Sequence, residues 1–228
     1  MTHEHIVKKF DKNLDRIKAT IIEMGGLVGH QIRDATEVLT SYDAAEVNRI
    51  TAYDRVINGM EKDIYDRAEI LIVRRQPMAL DLRQTLAPIN IAGELERIGD
   101  YAKSTAKRAH IIDTTPPDDA ILRLVTQMSL LAQTMLADVL VAYGTADIAL
   151  AAKLIDQDKE VDALNKQLLE LVIETLPKTP ENAESLVHLT LISRGFERIG
   201  DHICNIARYV HQIETGEDLK ASNLSAKL

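Results

Sequence analysis

The sequence contains few aromatic residues and few of the residues that form turns. Its 228 residues include no tryptophan, two phenylalanines, six prolines and ten glycines, and aromatic residues account for only 4%. This scarcity disfavours a β-sandwich, whose strands are rich in aromatic and β-branched side chains. With 46% hydrophobic and 27% charged residues, the chain is globular rather than collagenous or disordered. We therefore predict an all-α fold without a β-sheet.

Cysteine is almost absent as well. The single cysteine, Cys204, can form neither an internal disulfide nor a cysteine-based zinc site. The first twelve residues lack an apolar signal segment, and polar and charged residues interrupt the most apolar run, from Ile121 to Tyr143. We therefore expect a cytoplasmic protein that neither spans the membrane nor is exported.

Basic charge is not concentrated anywhere in the sequence. The chain has 35 acidic and 27 basic residues, with a net charge of -8 and no long run of lysine or arginine. Nucleic-acid binding requires a concentrated basic face that neutralises phosphates. We therefore do not expect a nucleic-acid partner.

Apolar residues recur at intervals of three and four residues through six long stretches. One example is the series Ile57, Met60, Ile64, Ala68 and Leu71. This spacing is typical of amphipathic helices. Turn residues separate the stretches, so we predict six helices of about 30 residues, each roughly 45 Å long.

Several helix ends have recognisable signals. Asp43, followed three residues later by Glu46, predicts a capping box. We expect Gly144 to close one helix and Thr145 to open the next. Pro88 lies inside an otherwise helical segment, so we expect a kink in the third helix.

The chain contains an internal duplication. The five residues 96–100, Glu-Arg-Ile-Gly-Asp, recur without change at 197–201, a separation of 101 residues. The duplication and the short loops predict two tandem three-helix bundles of antiparallel helices. We place the first bundle at 1–112, a linker at 113–117, the second bundle at 118–214 and a flexible C-terminal tail at 215–228.

Each copy of the repeated segment contains two carboxylates four residues apart, which project from one helix face. The preceding helix offers a second pair in each repeat. The pairs are Asp54 with Asn58 and Glu96 with Asp100 in the first repeat, and Asp158 with Asp162 and Glu197 with Asp201 in the second. Converging carboxylates require protons or cations, and such oxygen ligands suit hard metal ions. The alternative is that these residues form an ordinary solvated helix face.

Other residues of the repeated segment have simpler interpretations. Gly99 and Gly200 would allow a neighbouring helix to approach closely. His202 follows Asp201 on a different bearing of the helix, so we expect it to be a surface or flanking residue. We interpret Cys204 as a small buried hydrophobic residue.

These segments resemble the PhoU family of bacterial phosphate-signalling proteins. The resemblance rests on the doubled Glu-Arg-Ile-Gly-Asp segment, on residues 76–83 with the sequence QPMALDLR, and on Met24 with Gly25. It covers the chain from about Ile6 to Glu214 and implies the same duplicated three-helix fold.

The resemblance implies a function that spacing alone does not indicate. Proteins of this family act as negative regulators that couple a phosphate ABC transporter to a sensor histidine kinase and restrain phosphate uptake. It therefore implies a non-enzymatic signalling adaptor with the kinase and the transporter ATPase as partners. Contact with the membrane would occur through these partners only, and we expect a homodimer.

The resemblance also implies a multinuclear metal site, holding iron, zinc, manganese or magnesium, on the acidic motif of each bundle. The second bundle matches the motif fully, and Asn205 would be an additional oxygen ligand there. The first bundle departs from it, because Asn58 replaces a carboxylate and Ser104 occupies the position equivalent to Asn205. We therefore expect metal mainly in the second bundle.

Two alternatives to the adaptor role remain open. One is a carboxylate-bridged metalloenzyme or metal-storage protein, although no Glu-x-x-His spacing supports it. The other is a purely structural helical protein in which the acidic motif is a consequence of duplication.

Overall fold

A computed structural model describes the backbone of residues 3–219 and the side chains of residues 10–219. Its helices are α1 (His3–Thr40), α2 (Ala44–Arg75), α3 (Leu80–Thr114), α4 (Asp119–Thr145), α5 (Ile148–Thr175) and α6 (Ala183–Thr215), and a 3-10 turn (Pro180–Asn182) precedes α6. About 90% of residues 3–219 are helical, and this part of the chain contains no strand. The predicted all-α fold with six long helices is confirmed. The connection between the repeats spans 115–118, and most of the predicted C-terminal tail, 220–228, lies outside the described residues.

The predicted helix ends are partly confirmed. Asp43 caps α2, where its carboxylate accepts a hydrogen bond of 2.8 Å from the Ala45 amide. Glu46 instead binds the Arg49 guanidinium. The expectation for Thr145 was wrong: it is the last residue of α4, and Asp147 caps α5 by accepting bonds from two amides of its first turn. An aspartate accepts these amides more readily than a threonine does.

Pro88 lies within α3, which continues on both sides of it. Because proline has no amide hydrogen, the carbonyl four residues earlier loses its helical partner there. Pro88 is nevertheless buried, and the helix is held through this position by neighbours that are also buried, including Ala87 and Ile91.

The two repeats share one core. Within each repeat the third helix packs against the first two, so α3 contacts α1 and α2, and α6 contacts α4 and α5. Between the repeats, α1 packs on α4 and α3 packs on α6. The buried apolar residues of both repeats form a single cluster. The central four helices therefore bury their apolar faces against one another, and α2 and α5 lie on the outside.

The helix α4 is long and apolar enough to cross a membrane by composition alone. One face of this helix, however, is buried in the core, whereas Leu130 and Val141 on its other face are exposed. Met128, Ala132, Met135 and Val139 follow the helical period and are fully buried. This helix is therefore a central core helix of a folded protein.

The segment QPMALDLR forms the corner between α2 and α3. Gln76 ends α2 in the left-handed conformation, with φ 48°, and Ala79 precedes α3 with φ 50°. Further along the segment, Arg83 donates a hydrogen bond of 3.1 Å to the Ile213 carbonyl in the last turns of α6. A cation is favourable at a helix C-terminus. This segment therefore links the first repeat to the end of the second.

A substitution at Gly25 can test the packing contact between α1 and α4. A Cβ atom at Gly25 would lie 2.5 Å from a methyl carbon of Leu140, whereas a Cβ at Gly26 would have nothing within 4 Å. Replacing Gly25 by valine should lower the free energy of unfolding by about 1–3 kcal/mol, because the added methyl groups must displace Leu140. Gly26→Val is the matched control and should change stability by less than about 0.5 kcal/mol. Urea denaturation measures both, and equal effects would contradict the packing described here.

Candidate functional site: an acidic cluster in each repeat

In each repeat, the outer helix packs against the third helix and brings the two predicted acidic pairs together. On α3 the residues Ile98 and Gly99 are buried, and on α6 so are Ile199 and Gly200. In each helix the buried Ile-Gly pair is flanked by two carboxylates four residues apart, and their side chains therefore lie along the groove between the two helices. These carboxylates are Glu96 and Asp100 in α3, and Glu197 and Asp201 in α6.

In the second repeat, Asp158 of α5 lies directly over Gly200 of α6. A Cβ atom at Gly200 would collide with the Asp158 carboxylate, so the glycine is required for this approach. Burial, together with the neighbouring carboxylates of Asp162, Asp201 and Glu197, raises the pKa of Asp158 to about 6. The four carboxylates thus lie near enough to influence one another electrostatically.

The other carboxylates of the second cluster are only partly compensated. Glu197 Oε1 accepts a hydrogen bond of 2.8 Å from Arg194, while its Oε2 is buried without a hydrogen-bond partner. Burial, together with Asp201 and Asp162, raises the pKa of Glu197 despite the arginines nearby. Asp201 binds Arg198 at 3.2 Å on the same helix. A half-buried oxygen cluster of this kind favours uptake of a proton or a cation.

The first repeat compensates its carboxylates internally. Lys103 of α3 donates to Asp54 of α2 at 2.6 Å and to Asp100 at 2.7 Å. These two carboxylates raise the pKa of Lys103, which therefore stays charged. A protein cation thus occupies the place between the two helices in which a metal ion would have to bind.

A further carboxylate of the first cluster was not predicted. Glu61, on α2, lies close enough to raise the pKa of Glu96, after burial and Asp100. Its position seven residues after Asp54 is the helical signal that could have identified it. Asn58, which was predicted to face the cluster, is exposed and makes no hydrogen bond among the described side chains.

Besides Asn58, which stands where the second repeat has Asp162, the two clusters differ at the position of Lys103. Cys204 lies 101 residues after Lys103, which is the separation of the two repeated segments. It is buried, as predicted, and its thiol lies 3.8 Å from the Leu154 carbonyl oxygen. Burial and the charge of Asp158 raise the pKa of Cys204 to about 12, so the thiol is neutral. The second cluster therefore lacks the cation that neutralises the first.

The donor chemistry fits a hard metal ion only in the second repeat. Four carboxylates without a lysine are suitable oxygen ligands for such an ion. Among residues 10–219, however, no three histidine, cysteine or acidic side chains are already arranged to hold a metal ion. In this conformation the second cluster supplies the ligands but not a preformed coordination shell.

Asn205 and His202 lie at the seam between α3 and α6. His202 Nδ1 donates to Glu94 Oε2 at 2.6 Å, and the Asn205 amide donates to the same oxygen at 3.3 Å. Burial opposes ionisation of Glu94, but these hydrogen bonds outweigh it and lower the pKa of Glu94. The interpretation of His202 as a flanking residue was wrong: its side chain is only 16% exposed and joins the two repeats. The Asn205 amide oxygen accepts a bond of 2.6 Å from Arg208, and its counterpart Ser104 binds Arg108.

The seam reflects the duplication. His202 corresponds to Tyr101, and the partner of His202, Glu94, corresponds to Gly195. A Cβ atom at Gly195 would lie 3.6 Å from the Tyr101 ring, so Tyr101 and Gly195 form the equivalent contact on the other side. The contact of Glu94 with His202 is therefore polar, and the equivalent contact of Gly195 with Tyr101 is apolar. Sequence periodicity could not reveal this pairing, because it joins residues more than 100 positions apart.

These features define the class of protein: an all-α molecule made of two copies of a three-helix unit, each with an acidic cluster between its second and third helices. The chain belongs to the PhoU family, because it matches the PhoU domain twice, over residues 21–109 and 125–210. The two matches confirm the duplication.

Curated relatives and solved structures agree with this membership. The chain is 35% identical to a protein of Caulobacter vibrioides over 95% of this chain and 94% of the relative, and 33% identical to one of Rhizobium meliloti over 95% and 91%. Both are named phosphate-specific transport system accessory protein PhoU homolog. The crystal structure of PhoU from Pseudomonas aeruginosa matches with a TM-score of 0.85 and 30% identity, covering 91% of this chain and all of that one.

Asp158 should make stability depend on pH. Its folded pKa of about 6 exceeds the ordinary 3.8, so the folded protein loses stability as the pH rises from about 4 to about 6. Asp158→Asn should therefore raise the free energy of unfolding by about 1 kcal/mol near pH 7 and change it little near pH 4, allowing for partial exposure.

Denaturant titrations in the presence of a chelator measure this effect at both pH values. Asp156→Asn is the matched control, since Asp156 is an exposed residue of the same helix whose carboxylate binds Lys159. A loss of stability in Asp158→Asn near pH 7 would show that the carboxylates do not repel one another as described.

Proposed function

We propose that this protein is a negative regulator of the phosphate-starvation response. In this role it couples a phosphate ABC transporter to a sensor histidine kinase and restrains phosphate uptake. The observation that carries the proposal is the 35% identity, over nearly the full length of both chains, to a protein named as an accessory of phosphate-specific transport. A solved relative from Streptococcus pneumoniae, 26% identical with a TM-score of 0.85, is named a phosphate transport system regulatory protein.

The partners follow from the same proposal. The adaptor acts in the cytoplasm, as a homodimer, and contacts the transporter ATPase and the kinase. It reaches the membrane only through these partners, because α4, the one helix in the described part of the chain that is apolar enough to span a membrane, packs one face into the core. The relatives are named as accessory or regulatory proteins, which supports a role without catalysis.

Deleting the gene tests the regulatory role. In medium rich in phosphate, the deletion strain should express alkaline phosphatase as if starved, because the signal from transporter to kinase is lost. Alkaline phosphatase activity measures this, and a plasmid copy of the gene should restore repression. A second deletion, of the transporter ATPase, controls for toxicity from unrestrained uptake. Normal repression in the verified single deletion would refute the proposal.

The second cluster supports a further, metal-binding candidate function. We propose that Asp158, Asp162, Glu197 and Asp201 take up a divalent or trivalent cation such as iron, manganese, zinc or magnesium. The supporting observation is that Cys204 takes the place of Lys103, so that among the described residues no lysine bridges the carboxylates of α5 and α6. Arg194 and Arg198 pair with Glu197 and Asp201 along α6 alone. Small movements of exposed carboxylates would complete a coordination shell, because carboxylates bind in one- or two-oxygen modes.

Matched double substitutions test the proposed asymmetry between the repeats. Glu197→Gln with Asp201→Asn removes two charged ligands, so metal content after purification without chelator should fall severalfold. Glu96→Gln with Asp100→Asn should leave it nearly unchanged, because Lys103 already neutralises that cluster. Elemental analysis measures both variants after growth with each metal. Equal losses, or no metal in the unaltered protein, would refute metal binding without affecting the regulatory proposal.

A further inference from the structure

Four arginines line a cleft between the N-terminal half of α1 and the C-terminal end of α2. Arg16 projects from α1, and Arg67, Arg74 and Arg75 project from α2, around a cavity of about 250 Å³. Asn13 adds an amide to the lining, and the apolar floor includes the buried side chain of Leu71. We call this site the arginine cleft. Its volume is below the range of about 300–1,000 Å³ typical of sites for drug-sized ligands, so it suits a small ligand or a terminal group.

The positive charge of the cleft is mostly uncompensated. Arg67 forms an ion pair of 2.6 Å with Asp63 on the same helix. Among the described side chains, no carboxylate forms an ion pair with Arg16, Arg74 or Arg75. Guanidinium groups that converge on one cleft repel one another, and an anion bound between them relieves that repulsion.

Two aspartates near Arg16 on α1 line another cavity. Asp11 and Asp15 line a different cavity, together with residues of α3, α4 and α6 such as Gln84 and Tyr143. The same stretch of α1 thus presents aspartates to one side and Arg16 to the arginine cleft. In a chain with a net charge of -8, this separation gives the cleft a local charge opposite to that of the whole protein.

Stabilisation of the C-terminal end of α2 explains the presence of only some of the four arginines in the cleft. Cations in the last turn of α2 are favourable there, which explains Arg74 and Arg75. Arg16 belongs to another helix, and Arg67 lies two turns earlier. The helix end contributes only about half a negative charge. The three guanidinium groups that form no ion pair with a described side chain outweigh it. An anion in the cleft is therefore attracted on balance.

We propose that the arginine cleft binds a phosphate-type oxyanion, either as free inorganic phosphate or as the phosphoryl group of a larger molecule such as a lipid headgroup. Arginine suits this ligand because its planar donors make paired hydrogen bonds to phosphate oxygens. The Asn13 amide supplies a further donor. The site stands independently of the regulatory role proposed above, since it follows from the cleft alone.

Binding to the purified full-length protein tests this site. Equilibrium dialysis with radiolabelled orthophosphate measures the free anion, and co-sedimentation with phosphatidic acid vesicles, against neutral phosphatidylcholine vesicles, measures the headgroup. Saturable binding in either arm should weaken by about tenfold or more in the double variant Arg16→Gln with Arg74→Gln. Both side chains are exposed, so the fold should be retained, which circular dichroism checks.

Arg55→Gln with Arg123→Gln is the matched control, because it removes two exposed arginines outside the cleft and lowers the net charge equally. Binding of orthophosphate would identify the free anion as the ligand, and binding confined to phosphatidic acid vesicles would identify a lipid headgroup. Either result supports the site if the cleft variant loses this binding and the control variant keeps it. Binding in neither arm, or equal loss in the cleft and control variants, would overturn the proposal.

Discussion

The burial of α3 against α6, together with α1 against α4, is the constraint on which the rest of the structure depends. Each repeat alone would leave an apolar helix face in water, at a cost proportional to its area. Joining the repeats buries Ile98 and Ile199 in a single core. It also forces α2 and α5 to the outside, where each can contact the third helix of its repeat only along one groove. The acidic clusters lie in these two grooves.

The two repeats meet the same electrostatic difficulty in different ways. Carboxylates brought together between packed helices repel one another and lose hydration, so the arrangement needs a positive charge or a proton. In the first repeat Lys103 supplies the charge from within the chain. In the second, Cys204 takes that position and packs as a neutral, buried group. This difference, together with Asp162 in place of Asn58, leaves the second cluster with more uncompensated negative charge than the first.

Charged groups in other parts of the molecule are either neutralised by hydrogen-bond partners or left exposed to solvent. The buried carboxylate of Glu94 is satisfied by His202 and Asn205 across the seam, so it contributes to holding the repeats together. The arginine cleft instead keeps its charge exposed to solvent. A binding molecule responds to such local fields more than to the net charge of the chain, because screening limits the range of an exposed charge to about 10 Å.

Much of the fold and part of the site could be predicted from the sequence. The helical period, the cap at Asp43 and the repeated segment are local patterns, so they determined the six helices, the duplication and the acidic pairs. The role of Lys103, the burial of His202 against Glu94 and the gathering of Arg16 with the arginines of α2 were decided only by tertiary structure. Periodicity specifies the face of a helix on which a residue lies. Which groups from distant segments meet across that face depends on how the helices pack, and that packing sets which charges are neutralised and which stay available.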